Sequence, residues 1–152
     1  MKEIKLTKGF VALVDDEDYE YLNQFNWGIS AYKYACRAAG KLRILMHREI
    51  MCAAQGQIVD HIDGNCLNNQ KVNLRLCSHT QNIRNQKRRR DNSSGFKGVS
   101  WDKRLKKWGA RIQVNGKPIS LGYFSDKKRA AEEYNIAAIQ HFGLFAKLNE
   151  VS

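Results

Sequence analysis

The sequence predicts an α+β chain built of two small units, and three observations carry that expectation. Residues 58–85 read as strand, Asn-rich loop, strand and helix; residues 96–149 alternate with the period of strands and end in an alanine-striped helix; and a basic, polar run separates the two. At 152 residues the chain is long enough for two thin cores.

Taken in order, Gly9 to Val14 is the clearest early strand, and the acidic, aromatic residues 15–25 suit a helix. Residues 33–39 and 42–46 read as further strands. His47, beside Met46 and Arg48, reads as a satisfied structural group ahead of a DNA contact. In the middle segment Ile58-Val59 leads into Asp60-His61-Ile62-Asp63-Gly64-Asn65, and Leu74-Arg75-Leu76 is the second strand. Ser78 with Gln81 three residues on is a capping-box signature, so a helix begins there. After the basic run, Trp108, Ala110, Ile112 and Val114 alternate with Gly109, Arg111 and Gln113, and Asn115-Gly116 supplies a hairpin turn. The return strand is expected to bury Ile119, Leu121 and Tyr123 and to turn Pro118, Ser120 and Gly122 outward. Ser125 or Asp126 caps the last helix, Ala130, Ala131, Tyr134, Ala137, Ala138 and Phe142 form its apolar stripe, and Gly143 stops it.

A formal charge of +11 and a pI near 9.7 favour a polyphosphate partner, because each phosphate neutralised by Lys or Arg releases counterions. No apolar run approaches the ~20 residues of a spanning helix, and no secretory pattern opens the chain, so a soluble, intracellular protein is expected. Cys36, Cys52, Cys66 and Cys77 form no C-x-x-C pair and read as free thiols. Zinc at Cys66, Cys77 and His79 is the sharper alternative, although their spacing fits no familiar zinc framework.

Cutting a phosphodiester needs an activated water, a cation against the developing charge and help for the leaving oxygen. Asp60 is a hard oxygen ligand, while His61, its strand neighbour, points to the opposite side and when neutral can take a proton near pH 7. Asn82 on the helix could bring a second oxygen to the cation, and so few protein ligands suit Mg²⁺, with Mn²⁺ also compatible.

These residues resemble the HNH, or ββα-metal, endonucleases, and in particular the phage homing endonucleases. The matching text is Met46-His47-Arg48, Val59-Asp60-His61-Ile62-Asp63-Gly64-Asn65, Asn68-Asn69, Asn73-Leu74-Arg75, and Gln81-Asn82 with Asn85. The resemblance takes in most of residues 1–86, including the opening Leu6-Thr7-Lys8-Gly9 and Val14-Asp15. It implies His61 as general base, Asp60 and Asn82 as metal ligands, and Asn73 as the residue that fixes the loop orienting the base; His79 is an alternative ligand.

The C-terminal segment resembles the Apetala-2, or ethylene-response-factor, DNA-binding domain through Lys97-Gly98-Val99, Trp108, Ala110, Leu121-Gly122-Tyr123-Phe124, Ala130-Ala131, Tyr134, Ala137-Ala138, Gly143, Ala146 and Leu148-Asn149. That resemblance implies a three-stranded antiparallel sheet backed by one helix, with Lys97, Ser100, Lys103, Arg111, Gln113 and Ser120 at DNA-contacting positions. Lys117 and Arg75 join the expected DNA contacts, and Trp101 is balanced between stacking on DNA and packing. Ser100, Pro118 and Ser120 replace the Arg, Arg and Trp of the plant domains, so the plant target sequence does not transfer.

The expected organisation is therefore an HNH nuclease unit over residues 1–86, with its ββα-metal core at about 58–86, a basic linker over 87–95, and a DNA-binding unit over 96–152. Arg84, Lys87, Arg88, Arg89 and Arg90 either form a solvated linker or track the DNA backbone. The expected function is metal-dependent cleavage of double-stranded DNA, one strand per site, by a monomer in the cytoplasm, a bacterial host's if the chain is phage-encoded. A non-catalytic DNA-binding regulator that keeps the HNH scaffold is the main alternative, and an RNA-binding basic protein is a third.

Overall fold

A computed structural model of the chain describes residues 1–85 and 92–151, with Arg84 described by its backbone alone. Lys87, Arg88, Arg89 and Arg90, expected along the DNA backbone, lie outside the described residues, as does the side chain of Arg84. The chain divides into two compact units, Met1–Asn82 and Ile83–Ser152. It is a mixed α and β structure with several small sheets and few helices.

The first unit opens with β1 (Lys2–Lys5) paired antiparallel to β2 (Val11–Val14), so that Lys2 faces Val14 and Lys5 faces Val11. The strand expected from Gly9 begins two residues later, because Gly9, at φ 74°, closes a 3-10 turn over Thr7–Gly9. α1 (Asp16–Leu22) carries three acidic residues in its first turn, where the helix dipole favours them. β3 (Gly28–Ile29), β4 (Ala35–Ala39) and β5 (Leu42–Leu45) form an antiparallel three-stranded sheet in that order. Met46, expected to end a strand, instead starts α2 (Met46–Ile50): its side chain is fully buried in the core, and the chain turns there. Ile4, Leu6, Ala12, Val14, Leu22, Trp27, Ala35 and Met46 make this core. Arg37 binds Glu49 with two N–H donors, at 3.1 Å and 2.6 Å, and lies 4.0 Å over the Phe25 ring, tying β4 to α2 through a half-buried charge pair.

β6 (Ile58–His61) and β7 (Leu74–Cys77) pair antiparallel, with Asp60 opposite Arg75 and His61 opposite Leu74. α3 (His79–Asn85) follows, and its start has the reciprocal bonds of a capping box: Ser78 N donates to Gln81 Oε1 at 2.8 Å and Gln81 N to Ser78 Oγ at 3.2 Å.

In the second unit β8 (Val99–Asp102), β9 (Lys107–Val114) and β10 (Lys117–Phe124) form an antiparallel sheet with β9 in the centre, and α4 (Lys127–Phe142) packs on it. Asn115 and Gly116, at φ 49° and 80°, make the two-residue turn that joins the longer strands. α4 is capped by Asp126, whose carboxylate accepts from Arg129 N at 3.1 Å, and it buries the six stripe residues expected of it before ending at Gly143. The alternation expected in β10 fails, because the register shifts between Ser120 and Gly122 and leaves Leu121 as an extra residue. Phe124 consequently packs into the core with Leu121, whereas Tyr123 is turned out opposite Gly109, and Ile119 stays exposed near the hairpin tip.

Gly98 fixes how closely α4 approaches the sheet. Its φ is +76°, and a Cβ there would sit 2.2 Å from the Tyr134 ring and 2.6 Å from the Arg111 carbonyl oxygen. Asn149 closes the unit from the other end: Lys97 N donates to its side chain at 2.6 Å, and Asn135 holds its backbone with bonds of 2.9 Å and 2.7 Å. Gly98→Ala is expected to cost the second unit about 3 kcal/mol or more, the sum of backbone strain and overpacking. Urea unfolding followed by Trp fluorescence checks this as a lowered midpoint.

Candidate functional site

The residues with chemistry to offer gather on β6 and β7 and the loop between them. Asp60 and His61 are neighbours in β6, so the pleat sends them to opposite faces, and both are buried. Asp60 faces its cross-strand partner: Arg75 Nε and Nη2 both donate to Asp60 Oδ2, at 2.9 Å and 2.7 Å. Arg75, expected as a DNA contact, is thus engaged with a carboxylate and is mostly covered.

His61 meets Asn69, its Nε2 lying 3.2 Å from Asn69 Oδ1. An amide oxygen only accepts, and Asn69 Nδ2 is directed at Leu67 O, so His61 Nε2 carries the hydrogen and Nδ1 is left as the basic nitrogen. Burial lowers the His61 pKa against the opposing pull of the Asn69 bond and of Asp63 and Asp60, which keeps the ring neutral at pH 7. Asn69 is itself completely buried and is positioned by β2, since its N–H donates to Leu13 O at 2.8 Å and Leu13 N donates to Leu67 O at 2.8 Å. The opening segment of the chain, which reads as featureless for chemistry, therefore braces the partner of His61. Asp15 adds to this, accepting from Gln70 Nε2 at 3.2 Å and Lys71 N at 2.7 Å.

Asn73 knots the loop. Its Oδ1 accepts from Asp63 N at 3.0 Å, and its Nδ2 donates to Asp63 Oδ1 at 3.0 Å and to Asn68 O at 2.8 Å. Asp63 also accepts from Asn65 N at 2.7 Å and Asn68 Nδ2 at 2.9 Å. Burial opposes ionisation of Asp63, but these donors outweigh it and hold its pKa below the usual carboxylate value. Asn82 is half-buried on the first turn of α3, its N–H donating to Ser78 O at 3.0 Å, and among the described residues no hydrogen bond joins it to Asp60. His79, the alternative ligand, is exposed at the start of the same helix.

Two aromatic neighbours of His61 escaped the sequence reading. The His47 ring centroid lies 5.0 Å away at 75°, and the Tyr34 centroid lies 5.9 Å from His61 and 5.0 Å from His47. Burial pushes the His47 pKa down to about 3, with the neighbouring His61 and Arg48 adding to the shift. Burial also raises that of Tyr34, with Cys66 beside it contributing. Only the Met-His-Arg run hinted at His47, and contact between residues 14 and 27 positions apart leaves no local pattern. All four cysteines are free of disulfides, and among the described residues no three His, Cys, Asp or Glu side chains converge as a metal cage.

In the second unit Ser100, Arg111, Gln113 and Ser120 lie on the sheet face turned away from α4, joined by Tyr123, whose ring packs against Gly109. Lys103 and Lys117 are exposed at the two hairpins. Trp101 belongs to the other face: it is paired with Trp108 at 5.0 Å, in the same alternation as buried Val99 and Ala110. Lys97 is half-buried; burial, with Lys147 nearby, lowers its pKa to about 8, so it presents a weaker cation than an exposed lysine.

The strand pair therefore carries a buried carboxylate and a buried imidazole and is followed by a capped helix. Residues 53–84 match the HNH endonuclease family. The chain is 32% identical over 152 residues to the "Uncharacterized HNH endonuclease L560" of Acanthamoeba polyphaga mimivirus, a match covering 95% of this chain and 77% of that protein. It is 41% identical over 76 residues to "Protein 3.8" of Escherichia phage T7, covering 47% of this chain but only 63% of the phage protein. No solved structure matches. The chain belongs to the HNH endonuclease family. Among the described residues no helix is long and apolar enough to cross a membrane.

The buried, neutral His47 makes stability pH-dependent. Its pKa in the fold, about 3, lies below the unfolded value of 6.5, so the unfolded chain binds the extra proton between those values and stability falls as pH drops through that window. His47→Phe is expected to lose distinctly less unfolding free energy than the wild type between pH 6.5 and pH 4, as checked by urea titrations at both.

Proposed function

We propose that this chain is a metal-dependent endonuclease that nicks double-stranded DNA, with residues 1–82 cutting and the sheet of the second unit holding the duplex. The observation that carries the reading is His61, a buried imidazole beside Asp60 whose Nε2 meets Asn69 Oδ1, so that the neutral ring has Nδ1 as its basic nitrogen, the kind of group that takes a proton from water. Asn73, through its bonds to Asp63 and Asn68, keeps the loop that carries Asn69 and follows His61 from relaxing. The family's dependence on divalent ions is compatible with the donors present. Asp60 offers a hard oxygen, although Arg75 donates to its Oδ2, and a site with few protein ligands suits an ion that keeps most of its own waters, as Mg²⁺ does. Asp60 and Asn82 would hold that ion, and when bound it supplies positive charge against the phosphate in the transition state. A single such site attacks one phosphodiester, hence a nick.

We read the second unit as an Apetala-2-type duplex reader. In support, a twisted three-stranded sheet backed by one helix exposes Arg111, Gln113 and Ser120 on one face, and these side chains carry the donors that base edges and phosphates accept. The mimivirus relative aligns with nearly the whole chain, which favours the two units working as one protein. A homing role and placement in a host cytoplasm belong to the same proposal, with the viral origin of the relatives in its favour.

His61→Ala is expected to slow Mg²⁺-dependent nicking of supercoiled plasmid by about 100-fold or more while plasmid retention in a gel-shift assay is unchanged. Undiminished nicking removes His61 from the role. Arg111→Ala with Gln113→Ala is expected to weaken duplex binding by about 1–3 kcal/mol and to leave the nicking rate at saturating DNA intact. Unaltered affinity rejects this sheet face as the reader.

A further inference from the structure

One face of the sheet formed by β3, β4 and β5 is closed and the other is open. On the closed face Ala35 lies in the core, and Arg37 is bound to Glu49 above the Phe25 ring. Alternation sends Cys36 and Ala38 to the opposite face, together with their cross-strand partners, Gly28 opposite Cys36 and Arg43 opposite Ala38. Tyr34 continues that face by one step, because Ser30 N donates to Tyr34 O at 2.9 Å and extends the pairing of β3 with β4 beyond Ile29 and Ala35. The Tyr34 ring centroid lies 5.9 Å from that of His61. Along the rest of the face runs an open groove of about 580 Å³, lined by Asn26, by the small residues Gly28, Cys36 and Ala38, and by Lys41 and Arg43 where β4 turns into β5. No acidic residue lines it, and among the described residues neither Lys41 nor Arg43, both exposed, has an ion pair. Lys2, Arg37, Lys71 and Arg75 of the same unit each meet a carboxylate.

Small side chains along the floor let a ligand come close to the sheet, and unneutralised cations at one end favour a polyanion. We propose that this face is the track on which the nuclease unit seats the backbone of the strand it cuts, with Arg43 and Lys41 holding a phosphate several nucleotides from the one attacked beside His61. From Tyr34 to Ala38 the strand rises about 13 Å, at about 3.3 Å per residue. One strand of a duplex advances about 3.4 Å per nucleotide, so the held phosphate lies about four nucleotides from Tyr34. Arg43 suits this contact because a planar guanidinium donates two parallel bonds to a phosphate, and Lys41 adds a point charge at the same end. Both are binding residues that set the register of the strand and carry no sequence information. With ten Lys and Arg against nine Asp and Glu in residues 1–82, the unit gains little long-range attraction from them, and they act on the strand locally. The proposal rests on the nuclease reading above.

The test uses the full chain and compares the wild type with Arg43→Ala, Ala38→Asp and Lys2→Ala. Plasmid retention is read by gel shift against salt without Mg²⁺, and single-turnover nicking of supercoiled plasmid is read against plasmid concentration in Mg²⁺. All three positions are exposed, so the unfolding midpoint is expected to hold. Arg43→Ala is expected to weaken retention by on the order of three-fold to ten-fold and to lower the slope of log affinity against log salt by about 1. The plasmid concentration that half-saturates nicking rises in step, and the rate at saturation stays, because the phosphate is held alike before and during reaction. Ala38→Asp sets a carboxylate on the floor and is expected to weaken retention at least as far. Lys2→Ala removes one cation outside the groove and is expected to keep the wild-type affinity and slope. A wild-type slope in Arg43→Ala, or unaltered retention in Ala38→Asp, overturns the track. So does a loss in Lys2→Ala as large as in Arg43→Ala, since net charge then accounts for the effect. A wild-type protein that leaves the plasmid supercoiled at every Mg²⁺ concentration overturns the nuclease reading instead, and the salt slopes still decide whether the groove holds DNA.

Discussion

Asn69 exposes no surface, and the bond from His61 Nε2 to its amide oxygen is the contact around which the first unit is arranged. A partner at one nitrogen fixes which nitrogen of an imidazole is basic, and a buried amide can do this only if the amide cannot turn over. Backbone bonds to Leu13 hold Asn69 in line with β2, Asp15 holds the two residues after it, and Asn73 ties the loop before it to Asp63. Buried polar groups linked in this way strengthen one another, and the loss of one leaves its partners unpaired in a medium that cannot replace them. The opening strands therefore bear on the position of His61 through the carbonyl of Leu13 and Asn69.

The other face of β6 solves a different problem. A buried carboxylate needs a positive partner, and Asp60 has one in Arg75, directly across the ladder. Such a pair contributes little net stability, because desolvation offsets the attraction, but it fixes where the Asp60 carboxylate points. In the proposed reaction Asp60 would hold the divalent ion, and a DNA phosphate would offer the Arg75 guanidinium an alternative partner.

How much of this was legible in the sequence depends on the range of the interaction. The Ser78–Gln81 capping box, the Asn115-Gly116 turn, the alternation of β9 and the alanine stripe of α4 all act within a few residues, and each stands in the structure where its pattern lies. Leu121 defeated the same reasoning, since a bulge inserts one residue without any mark in the sequence and everything beyond it changes face. Tyr123 thus came out onto the sheet surface and Phe124 went into the core. Asn69 and His47 stand in the runs that carry the resemblance, but their places beside His61 were not legible, because a distant strand and a distant helix bring them there.

Charge separates the two units as sharply as packing does. Residues 1–82 carry ten Lys and Arg against nine Asp and Glu, whereas residues 83–152 carry sixteen against six. Almost all of the surplus therefore lies outside the unit that holds Asp60 and His61. A site that relies on a neutral imidazole and an internally paired carboxylate has little long-range attraction for a polyanion, because neither group presents net positive charge to solvent. In the proposed division of work, counterion release, which supplies most sequence-independent affinity for DNA, comes from the second unit and the basic run before it. Such a division lets the pKa-lowering burial of His61 persist in a chain whose second unit is strongly basic: the charges that would favour DNA are kept on other elements, and the imidazole is tuned by its own burial and by Asn69.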